Sequence, residues 1–196
     1  MSLRVVTVPN LLTVLRMVLI PVFVSLLYYQ KLGLALLVFV SAGITDGLDG
    51  LLARRFNQKS QFGTILDPIA DKLLLVTAFI VLSLPSIVPQ PYPRHLPVPF
   101  WVTAAVISRD IFIVVGAVTI NIVTGFRRFR PSWLGKMNTV VQILTLVFIL
   151  TALLIPSISG YLPTAYTTVV AFAVLSGLHY VYLSTRIINE ERPSVE

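Results

Sequence analysis

The chain has 196 residues, 56% hydrophobic and 12% charged, and a net charge of +7. Roughly 45–50% apolar residues is usual in a soluble domain, and the mean hydropathy of +0.89 sets this chain well apart. Apolar blocks of spanning length with basic residues between them set aside nucleic-acid binding, and the lack of cysteine excludes disulfides, thiol nucleophiles and thiolate metal sites.

Residues 1–9 carry Leu3, Val5, Val6 and Val8 beside Arg4, which suits either a short interfacial helix or a flexible start. No small-residue cleavage site follows, so a cleaved signal peptide is not expected. A helix needs about 20 apolar residues to cross a bilayer. Six stretches qualify: 11–29, 34–56, 67–88, 98–124, 133–155 and 164–188. Prolines punctuate the gaps at Pro89, Pro91, Pro93, Pro131 and Pro156. Irregular backbone is not tolerated in lipid, so the expected fold is an all-α integral membrane protein with six transmembrane helices. One domain over residues 1–196 fits the length. Arg4, Arg54, Arg55, Lys59, Arg127, Arg128, Arg130, Lys136, Arg186 and Arg192 lie at the ends or after even-numbered spans. Only Lys31 and Arg94 lie on the other side, so both termini are expected in the cytoplasm.

The chain has eight acids, and Glu190, Glu191 and Glu196 belong to the tail. The other five, Asp46, Asp49, Asp67, Asp71 and Asp110, all fall in or at the ends of spans. Intramembrane carboxylates are costly and point to function. Asp46 and Asp49 are three apart and Asp67 and Asp71 four apart, so each pair shares a helical face. Asp46 lies roughly 18 Å into its span, and Asp67 and Asp71 open the next, so a hairpin with a loop near 57–64 brings all four to one depth. Unneutralised, they would repel one another and protonate. Two hard divalent cations, Mg²⁺ or Mn²⁺, binding phosphate at the same time are the natural use. Pairing with Arg54, Arg55 and Lys72 as helix glue is the structural alternative. A cation pathway or inactive scaffold is the non-enzymatic one, against which the clustering of the acids at one end argues.

The run Asp46-Gly47-Leu48-Asp49-Gly50, then Ala53-Arg54, Gly63, Asp67 and Asp71 resembles the signature of the CDP-alcohol phosphatidyltransferase family. Eight fixed residues agree at the family spacing, and the stretch from Pro9 to Arg16 with six spans fits as well. The resemblance implies transfer of a phosphatidyl group from CDP-diacylglycerol to an alcohol with release of CMP. It implies that Asp46, Asp49, Asp67 and Asp71 hold two metal ions, with Asp71 also the base for the acceptor hydroxyl. Nucleotide binding would fall to Asp46, Asp49, Gly50, Ala53, Arg54, Gly63 and Asp67. It further implies a homodimer among membrane lipids, in a bacterial inner membrane, with the site on the cytoplasmic side.

For the acceptor, residues 10–21 and 63–72 look like phosphatidylglycerophosphate synthases, which use glycerol 3-phosphate. Arg109-Asp110 in place of Arg-Glu, Ala117 in place of a second arginine, and Lys136-Met137-Asn138-Thr139 with Gln142 look more like cardiolipin synthases, which use phosphatidylglycerol. Arg109 and Lys136 are the candidate acceptor-binding cations. Arg109 is equally open to a structural pairing with Asp110, since an arginine within a span needs an anion. Inositol phosphate, serine and choline acceptors remain further alternatives.

Overall fold

The computed structural model describes residues 8–56, 61–91, 93–124 and 133–190, with side chains for 13–45, 70, 72–91, 93–119, 122 and 133–185. Among these the chain is helical without a strand: α1 Val8–Tyr28, α2 Leu32–Phe56, α3 Gln61–Leu82, α4 Phe100–Thr124, α5 Trp133–Leu154, a short 3-10 helix Pro156–Tyr161, and α6 Leu162–Glu190. Six helices thus stand where six apolar blocks are expected. The possible interfacial helix over residues 1–9 lies outside the described residues except for its last two, which open α1.

Two boundaries differ from the expectation. The third helix starts at Gln61, so Asp67 and Asp71 stand in its second and third turns and not at its opening. It also ends at Leu82, six residues early. Pro85 disfavours helical backbone at Leu84, and Ser83 Oγ donates back to the Phe79 carbonyl at 2.7 Å. The following segment is closed by Val98 N–H donating to the Leu82 carbonyl at 3.0 Å.

The fold divides into two compact units, Met1–Val98 with Leu146–Leu162, and Pro99–Thr145 with Pro163–Glu196. In the first, α1 packs against both α2 and α3. Ala35, Phe39 and Ala42 give α2 a buried stripe at helical spacing, as Ala70, Leu74, Ala78 and Leu82 do for α3. Phe23 meets Phe39 at 5.7 Å between ring centroids. Small residues let helix backbones approach closely where lipid offers no hydrophobic drive to association.

In the second unit, Val102, Val106 and Asp110 line one side of α4, and Tyr166, Val169, Ala173 and Ser176 one side of α6. Gly116 lies against the Tyr180 ring, where a Cβ would stand 2.9 Å from Cε1. The other side of α4 exposes Ile111, Phe112, Val114, Val115 and Val118. Only 22% of its most apolar window is buried. An apolar surface of that extent is stable in lipid and not in water. Among the described residues three helices are long and apolar enough to cross a membrane, and three shorter apolar stretches lie at 13–28, 32–45 and 72–82. This is a membrane protein.

The turn after α1 shows how the helices are ended. Lys31 N–H donates to the Leu26 carbonyl at 2.8 Å and Gln30 N–H to the Leu27 carbonyl at 3.0 Å, with Gln30 at φ 58°. This is a Schellman ending whose left-handed position, usually glycine, is filled by glutamine. Gln30 Nε2 donates to the Ile87 carbonyl at 2.7 Å, tying the turn to the segment after α3. Gln30→Ala should therefore cost about 1 kcal/mol, the value of a typical hydrogen bond. Gln30→Gly should be close to neutral, because relief of roughly 1 kcal/mol of left-handed strain offsets the lost bond. Thermal unfolding in detergent checks the order: equal losses in both variants would show that the Ile87 bond and the backbone conformation are not separate contributions.

Candidate active site

The backbone of α2 carries Asp46, Asp49, Gly50, Ala53 and Arg54, and that of α3 carries Gly63, Asp67 and Asp71; the side chains of all eight lie outside the described residues. The helix bounds still fix their register. Asp49 stands seven residues before the end of α2 and Asp67 six after the start of α3, about 10 and 9 Å along the two axes. Asp46 and Asp71 each stand ten residues from the same ends, about 15 Å. Each helix thus carries its two aspartates within about 15 Å of the end nearer residues 57–60.

The sequence reading gave no role to Arg16, whose side chain is only 1% exposed on α1. It stands eight residues into α1, about 12 Å, on the helix that packs against both aspartate-bearing helices. Thr13, one turn before it, is also buried at 1%. A buried guanidinium is stable only near negative charge or several acceptors. The available signal was a lone arginine inside an apolar run.

The second unit holds a further group of intramembrane charges. Arg109 Nη1 pairs with Asp110 at 2.7 Å, both side chains under 10% exposed, and Nη2 donates to Ser176 Oγ of α6. Of the two readings of Arg109, the structure realises the pairing with Asp110 and adds a clamp from α4 to α6. Removing one partner of such a pair leaves a buried charge uncompensated. Lys136 lies in the first turn of α5 with its side chain exposed. Arg109 stands fifteen residues, about 22 Å, from the C-terminal end of α4. Among the described residues no bond joins Arg109 to Lys136: the first is engaged by Asp110 and Ser176, and the second is exposed. Among the described residues no three His, Asp or Glu side chains gather as a metal site.

Residues 6–180 match the model of the CDP-alcohol phosphatidyltransferase family. The chain is 34% identical over 197 residues to the "Probable phosphatidylglycerophosphate synthase" of Mycobacterium tuberculosis, covering 95% of this chain and 85% of that protein. It is 34% identical to the CDP-diacylglycerol–glycerol-3-phosphate 3-phosphatidyltransferase of Blochmanniella floridana, over 94% of each. It is 31% identical to the human cardiolipin synthase (CMP-forming), over 94% of this chain and 64% of that protein. With a family match through nearly the whole chain and relatives of this identity and coverage, the chain belongs to the CDP-alcohol phosphatidyltransferase family.

Proposed function

We propose that the chain moves the phosphatidyl group of CDP-diacylglycerol to a glycerol-based alcohol, releasing CMP, at a site built on Asp46, Asp49, Asp67 and Asp71. The observation that carries this reading is the family match over residues 6–180, in a chain with Asp46 and Asp49 on α2 and Asp67 and Asp71 on α3. The donor set is four carboxylates, with no nitrogen or sulfur ligand among them, which fits two hard divalent cations, Mg²⁺ or Mn²⁺. Bound there, such cations would neutralise the diphosphate and polarise the phosphoryl oxygens.

The chain's own residues supply the rest. Gly50, Ala53 and Gly63 keep side-chain bulk away from the nucleotide, and Arg54 meets the diphosphate. Arg16 adds a positive charge on the helix packed against α2 and α3. Asp71 takes the proton of the acceptor hydroxyl, whose oxygen bonds to the β-phosphorus as the bond to the bridging oxygen breaks and CMP departs. Lys136 and Arg109 are the proposed contacts for the acceptor phosphate. Arg109 has five N–H donors, and its Nε has no partner in the structure.

The topology belongs to the same proposal. All six helices cross a bacterial inner membrane, both termini and the site face the cytoplasm, and two copies associate among the lipids. The distribution of basic residues supports the orientation. The family match runs through both compact units, which supports one catalytic domain over residues 1–196. Relatives named for glycerol 3-phosphate transfer and for cardiolipin synthesis cover this chain almost equally. Both glycerol 3-phosphate and phosphatidylglycerol therefore fit as acceptor.

Two outcomes follow. Exhaustive chelation should abolish CMP release, and Mg²⁺ or Mn²⁺ should restore it; full release in chelator contradicts the metal role of the aspartates. Asp71→Asn should lower kcat by roughly 10²–10⁴, the range for loss of a general base, while CDP-diacylglycerol binding falls less than in Asp46→Asn or Asp67→Asn. Nucleotide titration beside turnover makes the comparison, and equal loss of binding in all three variants removes Asp71 from the role of base.

A further inference from the structure

The second unit holds two polar side chains that the Arg109 clamp leaves unexplained. Asn138 and Gln142 are both 0% exposed on α5, and none of their four side-chain nitrogen and oxygen atoms has a hydrogen-bond partner. Residues four apart share a helix face, with Cβ atoms roughly 5–6 Å apart. Nearby hydroxyls behave differently: Thr139 Oγ1 donates to the Gly135 carbonyl at 3.3 Å and Thr151 Oγ1 to the Val147 carbonyl at 2.7 Å. An amide buried in this way has lost its hydration and gained no bond. Inside a bilayer no bulk water makes up the loss. Two such amides on one face point to a ligand that supplies the missing bonds.

The chemistry of the amides selects that ligand. Each presents one acceptor oxygen and two N–H donors and carries no charge. A phosphate offers acceptors to the NH₂ groups but repels both carbonyl oxygens. A hydroxyl donates and accepts at once, so one hydroxyl can give its proton to one amide carbonyl and take an N–H from the other amide. We propose that Asn138 and Gln142 recognise the secondary, non-reacting hydroxyl of a glycerol unit in the acceptor. This inference rests on the phosphatidyltransferase reading and adds to it the residues that select the alcohol. Glycerol 3-phosphate and the headgroup of phosphatidylglycerol carry the same diol, so the pair selects the glycerol unit in either source.

The test compares each acceptor with its analogue lacking the secondary hydroxyl. Purified protein in vesicles containing CDP-diacylglycerol receives glycerol 3-phosphate or 3-hydroxypropyl phosphate. In parallel it receives phosphatidylglycerol or phosphatidyl-1,3-propanediol. A site built to bond a hydroxyl rejects the analogue without it, so kcat/KM should fall by about 100-fold or more within whichever pair the enzyme uses, and that pair identifies the source. Equal use of both members overturns the proposal and leaves phosphatidyl transfer standing. No CMP release with any acceptor overturns the transferase reading and this proposal together. Asn138→Leu and Gln142→Met approximate the heavy-atom outline of the side chains but remove the amides. They should hold or raise Tm, leave KM for CDP-diacylglycerol unchanged, and lose most of the discrimination between diol and deoxy acceptors. Variants that fold and still discriminate as the wild type does would overturn the assignment. Should neither fold, the wild-type analogue comparison decides.

Discussion

The cost of placing charge and unpaired polar groups in an apolar medium governs this protein at every level. It forces the backbone into helices, since each N–H and C=O must find a partner within its own segment. It also makes each polar side chain inside a span informative, because an uncompensated charge there costs several kcal/mol or more. The described polar groups divide accordingly. Hydroxyls such as Thr45 and Thr151 bond back to their own helix, and Arg109 is neutralised by Asp110 and hydrogen-bonded to Ser176. What local bonding does not settle is the pair of amides of Asn138 and Gln142.

The polar groups carried by the helices divide by charge in a way that suits the proposed chemistry. Four carboxylates on α2 and α3 would suit cations and, through them, a diphosphate. The neutral amides on α5 suit hydroxyls. A reaction joining a diphosphate-activated lipid to a polyol needs both kinds of recognition. Energy realised at one substrate's polar groups gives selectivity that apolar packing cannot, because a site missing its partner hydroxyl is left with buried unpaired groups. This is a physical reason for the chain to keep two buried amides on α5.

Much of this was legible in the residues, and the reasons differ from element to element. Six helices follow from six apolar blocks, because hydropathy over spanning length leaves little choice of structure. The aspartate spacing showed that Asp46 and Asp49 share a face, as do Asp67 and Asp71, since helical periodicity is fixed. The start of α3 at Gln61 was not legible: residues 61–66 are polar and apolar in turn and fit a loop or a helix equally. The early end at Leu82 was signalled by Pro85, but the continuing apolar run to Val88 masked it. The Gln30 ending was missed because glutamine is an uncommon left-handed residue and its bond to Ile87 spans 57 positions. Arg16 and the Asn138–Gln142 pair had local sequence signals, a cation and amides within apolar helices, whose meaning depended on burial that only packing reveals.

The account stands or falls on whether a phosphatidyl group is transferred at the aspartate-bearing helices. The most direct measurement is the molar ratio of new phospholipid to CMP formed by purified protein in vesicles of CDP-diacylglycerol, with glycerol 3-phosphate and phosphatidylglycerol supplied in turn. One phospholipid bearing the acceptor's glycerol should form for each CMP released, with both products lost in Asp67→Asn. Stoichiometric transfer that persists in Asp67→Asn, or CMP released without any new phospholipid, would contradict it.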